Sequence, residues 1–594
     1  MDPLGRAYTE SMACSSRTRV AMACLVAGSF ALFALSACGH FSVDLLPAGD
    51  EGIDGSGGSD GGENEDGSIS RDGATDAGPD ARDGGGPIVC SGTSCPGVYV
   101  SNDVGNDNNK GTAAEPVKTL PKAIEIAQAR GVPTDVYVAG KTNGIKYIDP
   151  LNIVEGVSLY GGYDCSVAPC TWKRDPKAFV TFLAGTNYRG IVVPDTITRA
   201  TVIDGFVIIG KGNSPDVAPG AVAMTIEGAP TVRRCVIEGN ALTGGTLGNS
   251  ASIGVAILGP ATKDPNGPLL ENNDIHSGAA GEASVAVLIW VRTPGMAGVS
   301  AAATITNDNS IRSGAAPKSF GIWARRTTAS TLIEGNSITS GPAMTGTELQ
   351  SWGIVAGGPM TVLRNRINTS AAAANMTGPA CGGDAFCGGV RVDTVAVTIG
   401  SNIIRGAHAS SAASVLISVL EGTGTKVVIN GNTLDPVGNG MDGAIGAAIA
   451  LESQSNAVAT TGNVRNNILL GGVNGLRYGV YEKKGTGKPA HLAVLEYNDF
   501  WNAPPTTAND YALHIYDGAN ETNVTFAQLG NGTLPTPVAN KNEDPLFDPN
   551  NAFHLKATSG LVDKGTPTEA PARDIDDDKR PKGIGIDIGA DEVK

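Results

Sequence analysis

Aromatic residues make up only 5% of this 594-residue chain, and charged residues only 17%. The sparse charge, with a net of −16, excludes the basic stripe that nucleic-acid binding requires. Six histidines (His40, His276, His408, His491, His514 and His554) are scattered, with no metal-ligand spacing and no serine partner. The longest apolar run, from Val20 to Leu35, is too short for a comfortable membrane span. Carboxylates are scarce in the middle of the chain: Asp393, Glu452 and Glu482 fall far apart, so the paired acids of a glycoside hydrolase are not visible. A helical stripe is also missing between residues 201 and 517.

What is abundant is glycine, 81 residues of it, together with a repeated phrase. An apolar strand ends in a polar turn carrying asparagine, and a second apolar position follows. The phrase reads Leu270-Glu-Asn-Asn273-Asp-Ile275, Asn309-Ser-Ile311, Leu332-Ile-Glu-Gly-Asn336-Ser-Ile338 and Val362-Leu-Arg-Asn365-Arg-Ile367. It continues through Asn402, Asn432, Asn467 and Asn498, with intervals of 27 to 37 residues. Self-similarity at this period is the mark of a solenoid, in which each unit buries its apolar face only against its neighbours. Alternation at period two, with many Val, Ile and Thr, makes the units strands. Asparagine at the turn tolerates left-handed backbone, and its amides can bond along a stacked ladder. These features resemble the right-handed parallel β-helix family, pectate-lyase-like with PbH1-type repeats. The resemblance implies an all-β solenoid and leaves activity open.

Arg17 and Arg19 precede the apolar run, which reads as a secretory h-region. Leu35-Ser-Ala-Cys38 resembles a bacterial lipobox. That implies a signal peptide over residues 1–37, a lipid on Cys38 and, from Gly39, sorting to an outer membrane or cell surface. An ordinary signal peptide is the plainer alternative, and Met12 is an alternative start. Residues 38–88 are an acidic Gly/Asp-rich tether. Between residues 50 and 83, eleven acidic residues against two arginines supply nine of the sixteen net negative charges, and such a segment cannot bury enough surface to order itself.

Residues 89–200 read as an N-terminal cap and first coils. Val98-Tyr-Val-Ser-Asn-Asp-Val-Gly-Asn-Asp107, Pro116 and Thr119-Leu-Pro-Lys-Ala-Ile-Glu-Ile-Ala127 resemble the opening of many secreted β-helix proteins. Thr119 suits a helix N-cap, and Leu120, Ile124 and Ala127 share one face. A short helix there would cover the open end of the core. Strands are expected at 135–138, 151–153, 157–159 and 202–208, with a structural loop around Trp172. Residues 518–594, with Asp544, Asp574, Arg580, Pro581 and Asp587-Ile-Gly-Ala-Asp-Glu592, resemble the closing segment of such proteins. Their aspartates are expected to accept from turn amides and to pair with Arg580, with calcium as the alternative. No cofactor is required.

Ten cysteines are present. In an exported chain the close pairs Cys90–Cys95, Cys165–Cys170 and Cys381–Cys387 read as disulfides. Cys235 stands where the repeat places Asn, and is expected as a buried free thiol on the ladder.

A second column appears in the strands Ile289-Trp-Val-Arg292, Ile322-Trp-Ala-Arg325, Val390-Arg-Val-Asp393, Val480-Tyr-Glu-Lys483 and Leu513-His-Ile-Tyr516. If Ile322 and Ala324 face the core, Trp323 and Arg325 face outward. The same frame exposes Trp290, Arg292, Arg391, Tyr481, His514 and Tyr516, a set able to stack on sugar rings and bond their hydroxyls. Plain outward decoration of a sheet is the alternative. For catalysis, Arg391 with Asp393 and the nearby Asp384 is the best local candidate for a lyase base, with Lys483 weaker. The expectation is a monomeric surface lipoprotein that binds extended polysaccharide without cleaving it. A lyase acting on a uronate polymer, or an adhesive protein with a protein partner, are the alternatives.

Overall fold

The computed structural model describes residues 97–593, apart from 149–150, 166, 185–188, 211–220, 242–250, 259–263, 291–299, 344–348, 370–385, 394, 407–413, 422–424, 437–444, 454–458, 461, 471–475, 484–489, 502–509 and 531–536. Cys38, Cys90, Cys95, Arg292, Cys381 and Asp384 therefore lie outside the described residues. Of Cys387 and Lys483 only the backbone is described.

The chain winds as a right-handed parallel β-helix. Successive coils add one strand each to three long sheets. The first sheet has 13 strands, from Val98–Val100 to Val494–Glu496, and the second has 12, from Ile145–Tyr147 to Asp499–Trp501. The third also has 12, eleven parallel strands from Arg189–Val193 to Asp510–Tyr516 and the antiparallel edge strand Glu521–Val524. Residues 151–153, expected as a strand, are irregular, and the strand of that coil is Ile145–Tyr147 instead.

Pairing in register stacks like on like. In the second sheet Ile237, Ile275, Ile311, Ile338, Ile367 and Ile404 form one fully buried file. Each isoleucine contributes roughly 1.5–3 kcal/mol only when the coil above and the coil below are in place. This is why the repeat folds as an array rather than as separate units.

The asparagines form the expected ladder at the corner between the first two sheets. Asn365 Oδ1 accepts from the backbone N–H and the Nδ2 of Asn336 at 3.0 Å. Its own Nδ2 donates to Ile333 O and Asn402 Oδ1. The same pattern runs from Asn273 to Asn498 and ends one rung beyond the sequence reading, at Asn540. Left-handed backbone falls on the residue before each ladder asparagine, not on the asparagine: Arg234, Asn272, Asp308, Arg364, Ser401, Asn466 and Tyr497 all have φ between 50° and 59°. That preceding residue makes the corner, which frees the asparagine to aim its amide along the stack.

Cys235 opens the ladder as a buried free thiol. At the amino end the helix Leu120–Ala129 lies against the first coils, with Thr119 Oγ1 accepting from Lys122 N and Leu120, Ile124 and Ala127 buried. The Cys165–Cys170 disulfide forms, and the loop beside it is structural. In that loop, the buried Trp172 packs on Tyr99, and Arg174 reaches the fully buried Asp204.

The carboxy-terminal segment has two parts: residues 521–529 and 538–544 pack on the last coil, where Phe526 and Leu529 lie against the core. Residues 553–593 run back along the ladder corner as a strap. Ser401 Oγ donates to Arg573 O, Asn430 Nδ2 to Thr568 O and Ala590 N to Thr433 Oγ1. The aspartates accept from turn amides as expected: Asp574 from Asp576 and Asp578, and Asp587 from Asp563 and Val593. Arg580, however, pairs with Glu592 rather than with an aspartate.

Candidate functional site

The outer face of the third sheet gathers a group of aromatic residues separate from the buried Tyr99, Tyr137, Tyr160, Tyr163 and Trp172 cluster near the amino end. Its register places Leu288, Trp323, Val355, Arg391, Ser418, Ala450, Tyr481 and His514 in one file. A second file holds Trp290, Arg325 and Asp393, then Glu452, with Lys483 at the next register position along the backbone. Ile322 and Ala324 are fully buried on the opposite face, as the alternation requires.

Near the middle of the sheet, Trp290 and Trp323 are half-buried with ring centres 6.4 Å apart. The exposed guanidinium of Arg325 lies 4.6 Å from the Trp290 ring centre and 5.4 Å from that of Trp323. These distances are those of cation–π contacts. Phe320 closes the underside of Trp323 at 5.2 Å. The result is a rigid, amphipathic patch whose cation is aimed by two indoles. Among the described residues, no carboxylate forms an ion pair with Arg325.

Two coils beyond Arg325 stands the candidate lyase base. Arg391 Nε donates to Asp393 Oδ1 at 2.7 Å and Nη1 to Gln350 Oε1 at 3.4 Å. Its guanidinium is thus already engaged by a carboxylate and by an amide oxygen.

Toward the carboxy end stands a second aromatic group. Tyr478 and Tyr511 stack with ring centres 5.6 Å apart, and Tyr481 lies 4.4 Å from His514. His514 and Tyr516, expected to be exposed, are buried. Both occupy outward positions, but His514 is packed against Tyr478 and Tyr481, and the turn after Tyr516 folds over it so that its hydroxyl donates to Gly518 O. Beneath them Glu482 occupies a core position. It accepts from Tyr516 N and holds His491 Nδ1 at 3.0 Å, and burial pushes its carboxyl up against the pull of that histidine.

Sequence reasoning missed Phe320, Trp352, Tyr478 and Tyr511, which line a third outward file. Strict alternation from Ile322 would turn Phe320 inward. The strand instead bends at Gly321, so both Gly321 and Ile322 face the core. A Cβ on Gly321 would meet Ile338 Cγ2 at 2.6 Å. The recurring Gly-Ile or Gly-Val pair (Gly254, Gly321, Gly353, Gly389 and Gly479) is the signal that marks this bend.

Among the described residues one group could meet a cation: His554, Asp576 and Asp591, with ligand atoms within 4.8 Å of one another. It lies in the strap, away from the aromatic face. His554 Nε2 is bonded to Asp576 at 2.7 Å, and Asp591 Oδ2 accepts from Leu555 N. No helix among the described residues is long and apolar enough to cross a membrane.

The fold is thus a right-handed parallel β-helix, fixed by the chain's own strand pairing. No family model and no curated protein matches the chain. Among solved structures it is similar to the catalytic unit of a thermostable GH87 α-1,3-glucanase from Streptomyces thermodiastaticus, at 15% identity and TM-score 0.32 over 68% of this chain and 70% of that one. It is similar to pectate lyase Pel9A, at 13% identity and TM-score 0.28 over 84% and 97%. A third is the periplasmic alginate epimerase AlgG, at 12% identity and TM-score 0.30 over 69% and 76%. Likeness at this level transfers no residue role and no activity.

Proposed function

We propose that this protein is an exported surface lipoprotein that binds extended polysaccharide on the outer face of its third sheet without cleaving it. The observation that carries the reading is the patch of Trp290, Trp323 and Arg325. Indole faces cover the apolar face of a sugar ring, and a guanidinium fork bonds hydroxyl or carboxylate oxygens. Binding without cleavage is favoured because Arg391 is tied to Asp393 and Gln350, and because Asp393, Glu452 and Glu482 belong to three different strands. In this reading Cys38 carries the lipid and residues 39–88 hold the solenoid off the membrane.

The test is electrophoresis through gels containing polygalacturonate or a neutral β-glucan. Retardation is expected in at least one of them. Trp290→Ala and Trp323→Ala should each weaken retardation roughly tenfold or more, since each removes a stacking surface of about 1.5–3 kcal/mol. Ultraviolet-absorbing products from polygalacturonate, lost in Arg391→Ala, would establish a lyase in its place. No retardation in either gel would leave neither reading standing.

A further inference from the structure

The tyrosine–histidine group toward the carboxy end lies on the same outward face as the tryptophan patch. Trp323 and Tyr481 occupy the same register file. Between the strand Lys318–Arg325 and the strand Leu476–Lys483 lie four others. Five steps at the usual strand spacing put the two groups about 24 Å apart along the solenoid axis.

Apart from Arg391, the residues between them in this file carry no ring and are short. The Trp323 file continues through Val355, then Arg391, then Ser418 and Ala450 before it reaches Tyr481. Bulky rings therefore stand at the two ends of a low stretch, in which the Arg391–Asp393 pair is the main polar feature. A single sugar can occupy only one end. A chain lying along the axis reaches both.

We propose that the two aromatic groups are the two ends of one binding site for a single polysaccharide chain, which lies parallel to the solenoid axis. This rests on the polysaccharide reading above and adds a second contact point, with Tyr481 and Tyr511 as its half-buried rings. The physical consequence is a length threshold. A chain too short to bridge about 24 Å binds one end at a time. A longer chain makes the second contact intramolecularly and gains affinity on the order of a hundredfold without any new chemistry.

The experiment is calorimetric titration of the intact protein with size ladders of oligogalacturonates and of cello-oligosaccharides, whichever parent polymer retards it. Affinity should rise steeply once the extended oligomer exceeds about 24 Å, then level off. Tyr481→Ala should erase the rise, and Tyr481→Phe should preserve it. The proposal is overturned if affinity for oligomers varies smoothly with length, or if Tyr481→Ala leaves the step in place. Because the wild-type ladder carries the result by itself, a misfolded variant does not blur it. If Trp323→Ala leaves binding at every length unchanged, the reading of the tryptophan patch fails instead. The two failures are therefore distinct.

Discussion

At the residue scale, Cys235 shows how closely the ladder constrains one position. Its backbone N–H donates to Asn273 Oδ1 at 3.0 Å, as a ladder asparagine's would. The sulfur takes over both amide roles. It accepts from Phe206 N–H, and it donates to Ile203 O at 3.7 Å, where Asn273 Nδ2 donates to Val232 O at 2.9 Å. Burial pushes the thiol up to about 12, so it stays neutral at any working pH. A sulfur hydrogen bond of this length is weak, and an amide would do both tasks better. Cys235→Asn should therefore raise stability by about 1 kcal/mol, whereas Cys235→Ala, which strands two buried backbone groups, should lower it by about 1–3 kcal/mol. Urea midpoints of the two variants check both signs. That position 235 belonged to the ladder was legible, because its flanking Val232 and Ile237 keep the repeat's spacing. The residue that carries the left-handed backbone was not legible, because Arg, Ser, Tyr and Asp all serve there and no residue type marks the corner.

At the scale of the element, legibility stopped wherever a strand departed from simple alternation or was covered by distant chain. Trp323 and Arg325 were placed correctly because the half-strand after Ile322 alternates. Phe320 and Trp352 were lost at the glycine bend. The strand Asp499–Trp501 shows the second limit. In the coils from Asp274 to Arg366 the position of Asp499 is held by Asp274, Ser310, Ser337 and Arg366, none of them buried; in the next three, Ile403, Thr433 and Ile468 are buried beneath the strap. In this last coil residues 541–544 pass over it and bury it fully. One carboxylate oxygen accepts from Glu543 N, and the other has no partner among the described residues. Burial raises this carboxyl from 3.8 to about 7, with Glu543 and Asp544 adding to the rise and Lys541 opposing it. Between about pH 4 and pH 7 the folded protein thus holds a proton that the unfolded chain has released. Stability from this group is full below that window and is lost as pH rises through it, by roughly 4 kcal/mol at 1.4 kcal/mol per unit. Asp499→Asn should flatten the fall and be the more stable form at pH 8. Thermal melts of both proteins from pH 4 to 8 measure this, and parallel curves would show that Asp499 does not titrate there.

For the whole molecule, the solenoid was readable because it grows by local repetition. The strap was not, because its partners lie 100 residues and more upstream. Nothing in the pairing of Ser401 with Arg573, or Asn466 with Thr566, is periodic. The strap is held by an internal lock. Arg580 and Glu592 are both fully buried, 2.7 Å apart, and Arg580 also donates to the carbonyls of Asp587, Gly589 and Asp591. Breaking a buried pair by removing one partner leaves an uncompensated charge, which costs about 3–5 kcal/mol. Arg580→Met keeps the volume and leaves Glu592 alone among buried carboxylates. The loss should fall on the strap first, because the ladder and the isoleucine files stand without it. Limited proteolysis of Arg580→Met should therefore cut within residues 545–593 while the β-helix remains intact and keeps its strand signature by circular dichroism. Adding Glu592→Leu should restore much of the resistance, since the stranded charge is then gone. If strap and coils are instead cut together, the strap is part of one cooperative unit, and the corner it covers cannot stay folded alone.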